Sequence, residues 1–270
     1  MYLKKDTKDE ANYKRLHNRY SSPNEAQPYA LVTGGSEGIG KEFALELARS
    51  GFNLLLVSRS QEKLDKTKKT ILEQSPQIAV ETATFDFSNF NPEQVKDLYK
   101  NLVIDQSRNL RILLNNVGVL GSKRLLEEDP QMLQNMIVVN IFAQTFMTKY
   151  YHLYIKERDS KLPYNLSAEA ERKRYGEIHL SSFISERSSE LRYIDYEIVK
   201  PSLVKTYMTG FKEHWRAVDP YEVPYGVFRA LGQQREAYGA FKHICWGTIT
   251  KYEPHPVRVQ RLQYDGRQKN

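Results

Sequence analysis

Tyr29-Ala-Leu-Val-Thr-Gly-Gly-Ser-Glu-Gly-Ile-Gly40, continued by the amphipathic run Lys41 to Gly51, reads as a buried strand, a glycine-rich turn and a helix. Gly34 lets the chain turn out of the strand, Gly38 removes a side chain where an anion approaches the backbone, and Gly40 permits close packing. The first amides of a helix lack partners and face outward with the positive end of its dipole, so this turn, with Ser36, Glu37 and Ile39 on it, suits a pyrophosphate. A second apolar run, Asn53 to Ser58, ends at Arg59, where a reader of a ribose 2′-phosphate stands.

The same rhythm continues downstream. Gln61 to Glu73 has helical spacing, and Ile78 to Phe87 alternates like a strand that carries Asp86. Pro92 opens a helix through Val103, and Leu110 to Leu114 forms a further buried strand leading into Asn115-Asn116-Val117-Gly118. Met132 to Tyr154 reads as one long apolar helix, Gly176 to Ser181 as a strand, and a helix starts at Pro220 or Tyr221 and ends at Gln233. Alternating strands and helices imply an α/β fold, a doubly wound parallel sheet with helices on both faces. Residues 28–250 form one domain. Residues 1–27 read as a basic extension, about 156–175 as a charged insertion longer than ordinary connections, and 251–270 as a polar basic tail.

Bulk properties bound the function. With 270 residues the chain is long enough to bury a full core, and its single cysteine excludes a disulfide framework or a Cys-rich metal site. A net charge of +7 and a pI near 9.2 point to acidic partners, and anionic lipid, RNA and an acidic protein surface satisfy the electrostatics equally. No window has the apolar length of a membrane span, and Met1 to Gln27 has neither the apolar core of a secretory signal nor the acid-poor composition of a transit peptide.

Thr33-Gly34-x-x-x-Gly38-Ile39-Gly40, the Asn-Asn-Val-Gly turn and the later motif order together resemble the short-chain dehydrogenase/reductase family, a Rossmann-type fold. The wording of Ser58 to Leu64, Lys200 to Thr206 and Tyr238 to Phe241 is similar to the branch of 17β-hydroxysteroid dehydrogenases and very-long-chain 3-oxoacyl-CoA reductases. The resemblance implies NADP(H) held by Gly34, Ser36, Glu37, Gly38, Ile39, Gly40, Arg59, Asp86, Asn115, Val117, Gly118 and Thr206, with Lys63 helping to neutralise the 2′-phosphate. It also implies that Ser182 and Asn140 occupy catalytic positions.

The resemblance breaks at the active helix. The family places a Tyr-x-x-x-Lys on a long helix after the serine, followed by a strand closed by a proline motif. Here Tyr196-Glu-Ile-Val-Lys200 lies fourteen residues after Ser182 and runs straight into Pro201. It therefore occupies the place of the strand, where Tyr196 and Lys200 stand about 13 Å apart, against about 6 Å for two side chains one helical turn apart. The expected reading is a degenerate enzyme retained as an NADP(H)-binding accessory subunit of a larger assembly, with the mitochondrion as its compartment, the cytoplasm or a membrane surface as the alternative, and no homodimer. The alternatives are a scaffold that has lost the nucleotide and a working reductase of 3-oxoacyl-CoA or ketosteroid substrates.

Overall fold

A computed structural model of the chain describes residues 7–21, 25–121, 123–160, 175–180, 194–199, 204–210, 217–231, 236–237 and 240. In chain order these form α1 (Thr7–Tyr20), β1 (Pro28–Thr33), α2 (Gly38–Arg49), β2 (Asn53–Ser58), α3 (Gln61–Gln74), β3 (Val80–Thr84) and α4 (Pro92–Tyr99). There follow β4 (Asn109–Asn115), α5 (Pro130–Ile137), α6 (Gln144–Ser160), β5 (Tyr175–Leu180), β6 (Ile194–Val199), α7 (Glu222–Ala230) and β7 (Glu236–Ala237).

The strands make one seven-stranded parallel sheet in the order β3-β2-β1-β4-β5-β6-β7. The order reverses at β1 and β4, and in open α/β sheets ligands bind at the carboxyl ends of strands beside such a reversal. β2 and β4 are buried at every position because helices cover both faces, which is why they read as apolar runs rather than alternating ones.

Each face has its own core. Ala30, Val32, Leu54, Leu56, Ile112 and Leu114 pack under α1, α2, α3 and α7, while Leu31, Leu55, Val57 and Leu113 pack under α4 and α6. In β4 the pairing with β1 skips a residue between Leu110 and Ile112, which turns Arg111 out of the alternation. That guanidinium is 3% exposed and is held by Asn109 and Glu25.

Three expectations change. The helix that opens at Pro92 is α-helical only to Tyr99, and Lys100–Ile104 continues it as a wider π-helical segment. The stretch 132–154 is not one α-helix, because Val138–Ala143, between α5 and α6, winds as a wider π-helical segment. It begins beside the β-branched run Ile137-Val138-Val139, whose side chains are stiff in a tight helix, and contains Asn140, tethered to the loop after β4. Within 1–27, α1 is no free extension. Leu16 and Tyr20 lie in the core, Tyr13 donates to Glu46 at 2.7 Å, and Arg19 and Tyr20 both donate to Asp195 of β6, at 2.9 and 2.8 Å. The charged insertion falls partly on α6, which runs to Ser160, and partly on 161–174, outside the described residues, as does the tail 251–270.

Candidate functional site

The crevice lies between the turn after β1 and the turn after β4. Thr33 closes β1, and its Oγ1 accepts from the amides of Asn116 and Val117, at 3.0 and 3.1 Å. Asn116 reaches back, its Nδ2 donating to the carbonyls of Thr33 and Gly34 at 2.9 and 3.1 Å. These bonds fix the glycine turn, and the packing leaves no slack: a Cβ on Gly40 would sit 2.3 Å from both the Gly34 carbonyl oxygen and the Asn116 amide. Gly38 holds φ +58°, a left-handed conformation that favours glycine. A Cβ there would point at Thr206 across the crevice, 3.5 Å from its methyl group.

The helices that frame the site differ at their starts. Ser60, Asn91 and Asp129 cap α3, α4 and α5 through their side chains, whereas Glu37, the residue preceding α2, makes no side-chain cap. The first amides of α2 are therefore left for another acceptor, and the bare Gly38 surface gives that acceptor access. The residues present fit a dinucleotide pyrophosphate.

The remaining sequence candidates divide. Arg59 is exposed at the end of β2, and Asp86 stands just beyond the neighbouring β3. The Asp86 carboxyl is held below its ordinary value by the Ser88 amide and hydroxyl, with a smaller contribution from Arg59. Ser36 is buried, its Oγ 2.8 Å from the Ser58 hydroxyl and its carbonyl bound by Thr67, so it braces the turn. Ile39 packs against the core. Asn115 is fully buried and donates to Thr148 at 3.0 Å, a tie from sheet to α6. Val117 packs on the α6 side, and a Cβ on Gly118 would come 3.2 Å from Asn140 Oδ1.

Asn140 spends its amide on one backbone unit: Oδ1 accepts from the Val119 amide and Nδ2 donates to the Val119 carbonyl, both at 2.8 Å. It thereby holds the chain leaving β4. Thr206 begins a short turn, its amide donating to Thr209 Oγ1 at 3.0 Å. Tyr196 lies within β6, in register with Glu177 of β5. Ser182 and Lys200 lie outside the described residues.

Thr33 and Asn116, which hold the site together, entered the sequence reading only as members of the Thr33-Gly34 and Asn-Asn-Val-Gly motifs, with no task of their own assigned to either. Around the mouth, Leu120, Leu125 and Leu126 after β4, and Tyr207 and Met208 after β6, are exposed on the carboxyl edge of the sheet.

A doubly wound parallel sheet with a glycine turn opening on an uncapped helix is the architecture on which dinucleotide sites are built. The chain matches, over residues 28–161, the family model described as short chain dehydrogenase. It is 54% identical over 91 residues to a very-long-chain 3-oxooacyl-coA reductase of Caenorhabditis elegans, an alignment covering 34% of this chain and 28% of that protein. It is 38% identical over 126 residues to a very-long-chain 3-oxoacyl-CoA reductase of Coccidioides immitis, covering 45% and 34%. The chain thus spans about a third of the length of these relatives.

Among solved structures, a short-chain dehydrogenase from Sphingobium yanoikuyae in complex with NADPH superposes with a TM-score of 0.62 at 17% identity, covering 88% of this chain and 96% of that one. An alcohol dehydrogenase from the archaeon Thermococcus sibiricus complexed with 5-hydroxy-NADP gives 0.58 at 20% identity, covering 76% and 90%. At those identities the likeness establishes the fold. Among the described residues no helix is long and apolar enough to cross a membrane.

Proposed function

We propose that the chain binds NADP(H) in this crevice and serves as an accessory subunit of a larger assembly, without turning over a carbonyl substrate. The observation that supports it is the strand Ile194–Val199. Tyr196 pairs with Glu177 of β5 there, and only residues 181–193 join the two strands. A parallel crossover needs about a dozen residues, so this one has no room for a long helix bearing a tyrosine and a lysine one turn apart. Without a positioned proton donor, carbonyl reduction loses about 10² to 10⁴ in rate.

When bound, the reduced dinucleotide would supply a hydride. The chain's own residues would bind and orient it: the α2 amides would take the pyrophosphate, Arg59 would meet the 2′-phosphate, and Asp86 would accept from the adenine amine. Thr33 and Asn116 hold the turn in shape, and Asn140 keeps the Val119 backbone in place. Arg59 stands where a reader restricted to NAD(H) would carry an acid, which favours the phosphorylated dinucleotide.

A second reading, an NADP(H)-dependent reductase of 3-oxoacyl-CoA or ketosteroid substrates, is favoured by the names of the relatives and by the apolar rim at Leu120, Leu125, Leu126, Tyr207 and Met208. Purified chain, NADPH and substrates of both classes separate the two. The expected result is nucleotide binding without NADPH oxidation, and robust turnover abolished by Tyr196→Phe refutes the accessory role. The basic charge is consistent with a mitochondrial assembly, checked by fractionation and by the size of the native particle. A particle no larger than the free chain refutes the assembly.

A further inference from the structure

Lys63 stands where three elements meet. It sits in the first turn of α3, where its amide donates to Ser60 Oγ at 3.4 Å. Its ammonium donates to both carboxylate oxygens of Glu37, at 2.9 and 2.8 Å, and lies 5.6 Å from the centroid of the Tyr207 ring. Glu37 belongs to the turn before α2, and Tyr207 to the loop after β6. One ammonium therefore links the two sides of the crevice.

The pair is open to solvent, with side chains 47% and 49% exposed, so an incoming anion can reach it. Glu37 itself is out of place for a phosphate site. It precedes a helix whose first amides suit an anion, its backbone is extended (φ −160°, ψ 173°), and its carboxylate caps none of those amides. A carboxylate there opposes any phosphate, and Lys63 cancels that opposition by giving both of its hydrogen bonds to it. The ammonium that the sequence offered to a 2′-phosphate is thus already engaged, whereas the Arg59 guanidinium is exposed at the mouth.

We propose that Glu37 sets the dinucleotide preference of the site by competing with the 2′-phosphate for Lys63. The inference rests on the NADP(H) reading above. A dinucleotide with a 2′-phosphate gains Lys63 only by drawing it from Glu37 and from the Tyr207 ring, while one without it leaves the pair intact. The site as built therefore discriminates less than two cations imply, and the carboxylate is what holds the discrimination down.

Calorimetric titration of the full chain with 2′,5′-ADP and with 5′-AMP tests this. The variants are Glu37→Gln, which keeps the size but removes the charge and one of the two acceptor oxygens that hold Lys63, Lys63→Gln and the double substitution. Glu37→Gln should tighten 2′,5′-ADP by about two- to five-fold more than 5′-AMP, the range spanned by release from a half-exposed ion pair. In the Lys63→Gln background that selective gain should vanish, since no ammonium remains to be released. Equal gains for both nucleotides, or a selective gain that persists without Lys63, overturn the proposal and leave NADP(H) binding standing. Failure of the unmodified chain to bind either nucleotide overturns both.

Discussion

Replacing Asp195 by alanine tests whether α1 is part of the fold. Asp195 is 5% exposed on β6 and accepts from Arg19 Nε and Nη2, at 2.5 and 2.9 Å, and from the hydroxyl of the fully buried Tyr20 at 2.8 Å. Removing it strands the Tyr20 hydroxyl, and an unsatisfied buried donor costs about 1–3 kcal/mol. Arg19 keeps 29% of its side chain in solvent, so water replaces part of what it loses, and about 1 kcal/mol is the discounted share. The expected loss is about 3 kcal/mol, read by urea unfolding of the full chain, with Asp195→Asn intermediate because it keeps one acceptor oxygen. A change within about 0.5 kcal/mol, the size of an ordinary surface substitution, refutes the reasoning. The same cluster gives a pH dependence. Burial first, then the neighbouring Asp195 charge, raises the Tyr20 hydroxyl well above its ordinary value of 10.0. The fold thus keeps a proton that the unfolded chain releases, so this contribution is complete below pH 10 and is lost as pH rises beyond it. Tyr20→Phe should flatten that alkaline decline.

Gly40→Ala should abolish nucleotide binding and cost about 1–3 kcal/mol in denaturant unfolding, because the new methyl meets the Gly34 carbonyl rather than a movable side chain. Asn140→Ala should cost about 1–3 kcal/mol by leaving both polar atoms of Val119 unserved, and hydrogen exchange at Val119 and Leu120 should rise. Arg59→Ala should weaken NADPH by about tenfold and leave NADH unchanged in parallel titrations, a charge-assisted hydrogen bond to phosphate being the only contact removed. Burial pushes the Glu25 carboxyl up, but Arg111 and Arg158 outweigh it and hold it below its usual 4.5. Its contribution is therefore present above pH 4.5 and lost as pH falls through the lowered value, and the stability gap to Glu25→Gln should close in acid unfolding curves.

The sheet was legible because strands buried on both faces leave apolar runs, and the turn because glycines at that spacing serve one geometry. β6 was legible only through Ile198, Val199 and the proline motif after it. Its buried Asp195 and Glu197 argue locally against a core strand, and the Asp195 partners lie at residues 19 and 20. For the same reason α1 stayed hidden. Its buried anchors, Leu16 and Tyr20, are set among charges, and charge in a terminal segment reads as solvation. At the site, residue types were right more often than their tasks. Ser36 and Asn115 brace the framework, and Lys63 is engaged by Glu37. Hydroxyls and amides bind ligands and backbones by the same chemistry, and spacing does not say which. The break in the long helix left no breaker residue to read.

The clasp between α1 and β6 joins groups 176 positions apart, and this bears on how the molecule is made. At synthesis rates of about 5–20 residues per second, α1 waits on the order of 10 to 35 seconds before Asp195 exists to receive it. α1, made before β6, thus cannot close this clasp early, and until then its apolar residues Leu16 and Tyr20 have only the earlier-made elements to cover them. Ribosome-bound chains halted before residue 195 should be cut by protease within 7–20, and chains long enough to expose β7 should resist. Early protection would mean that α1 is seated by α2 and β2 alone.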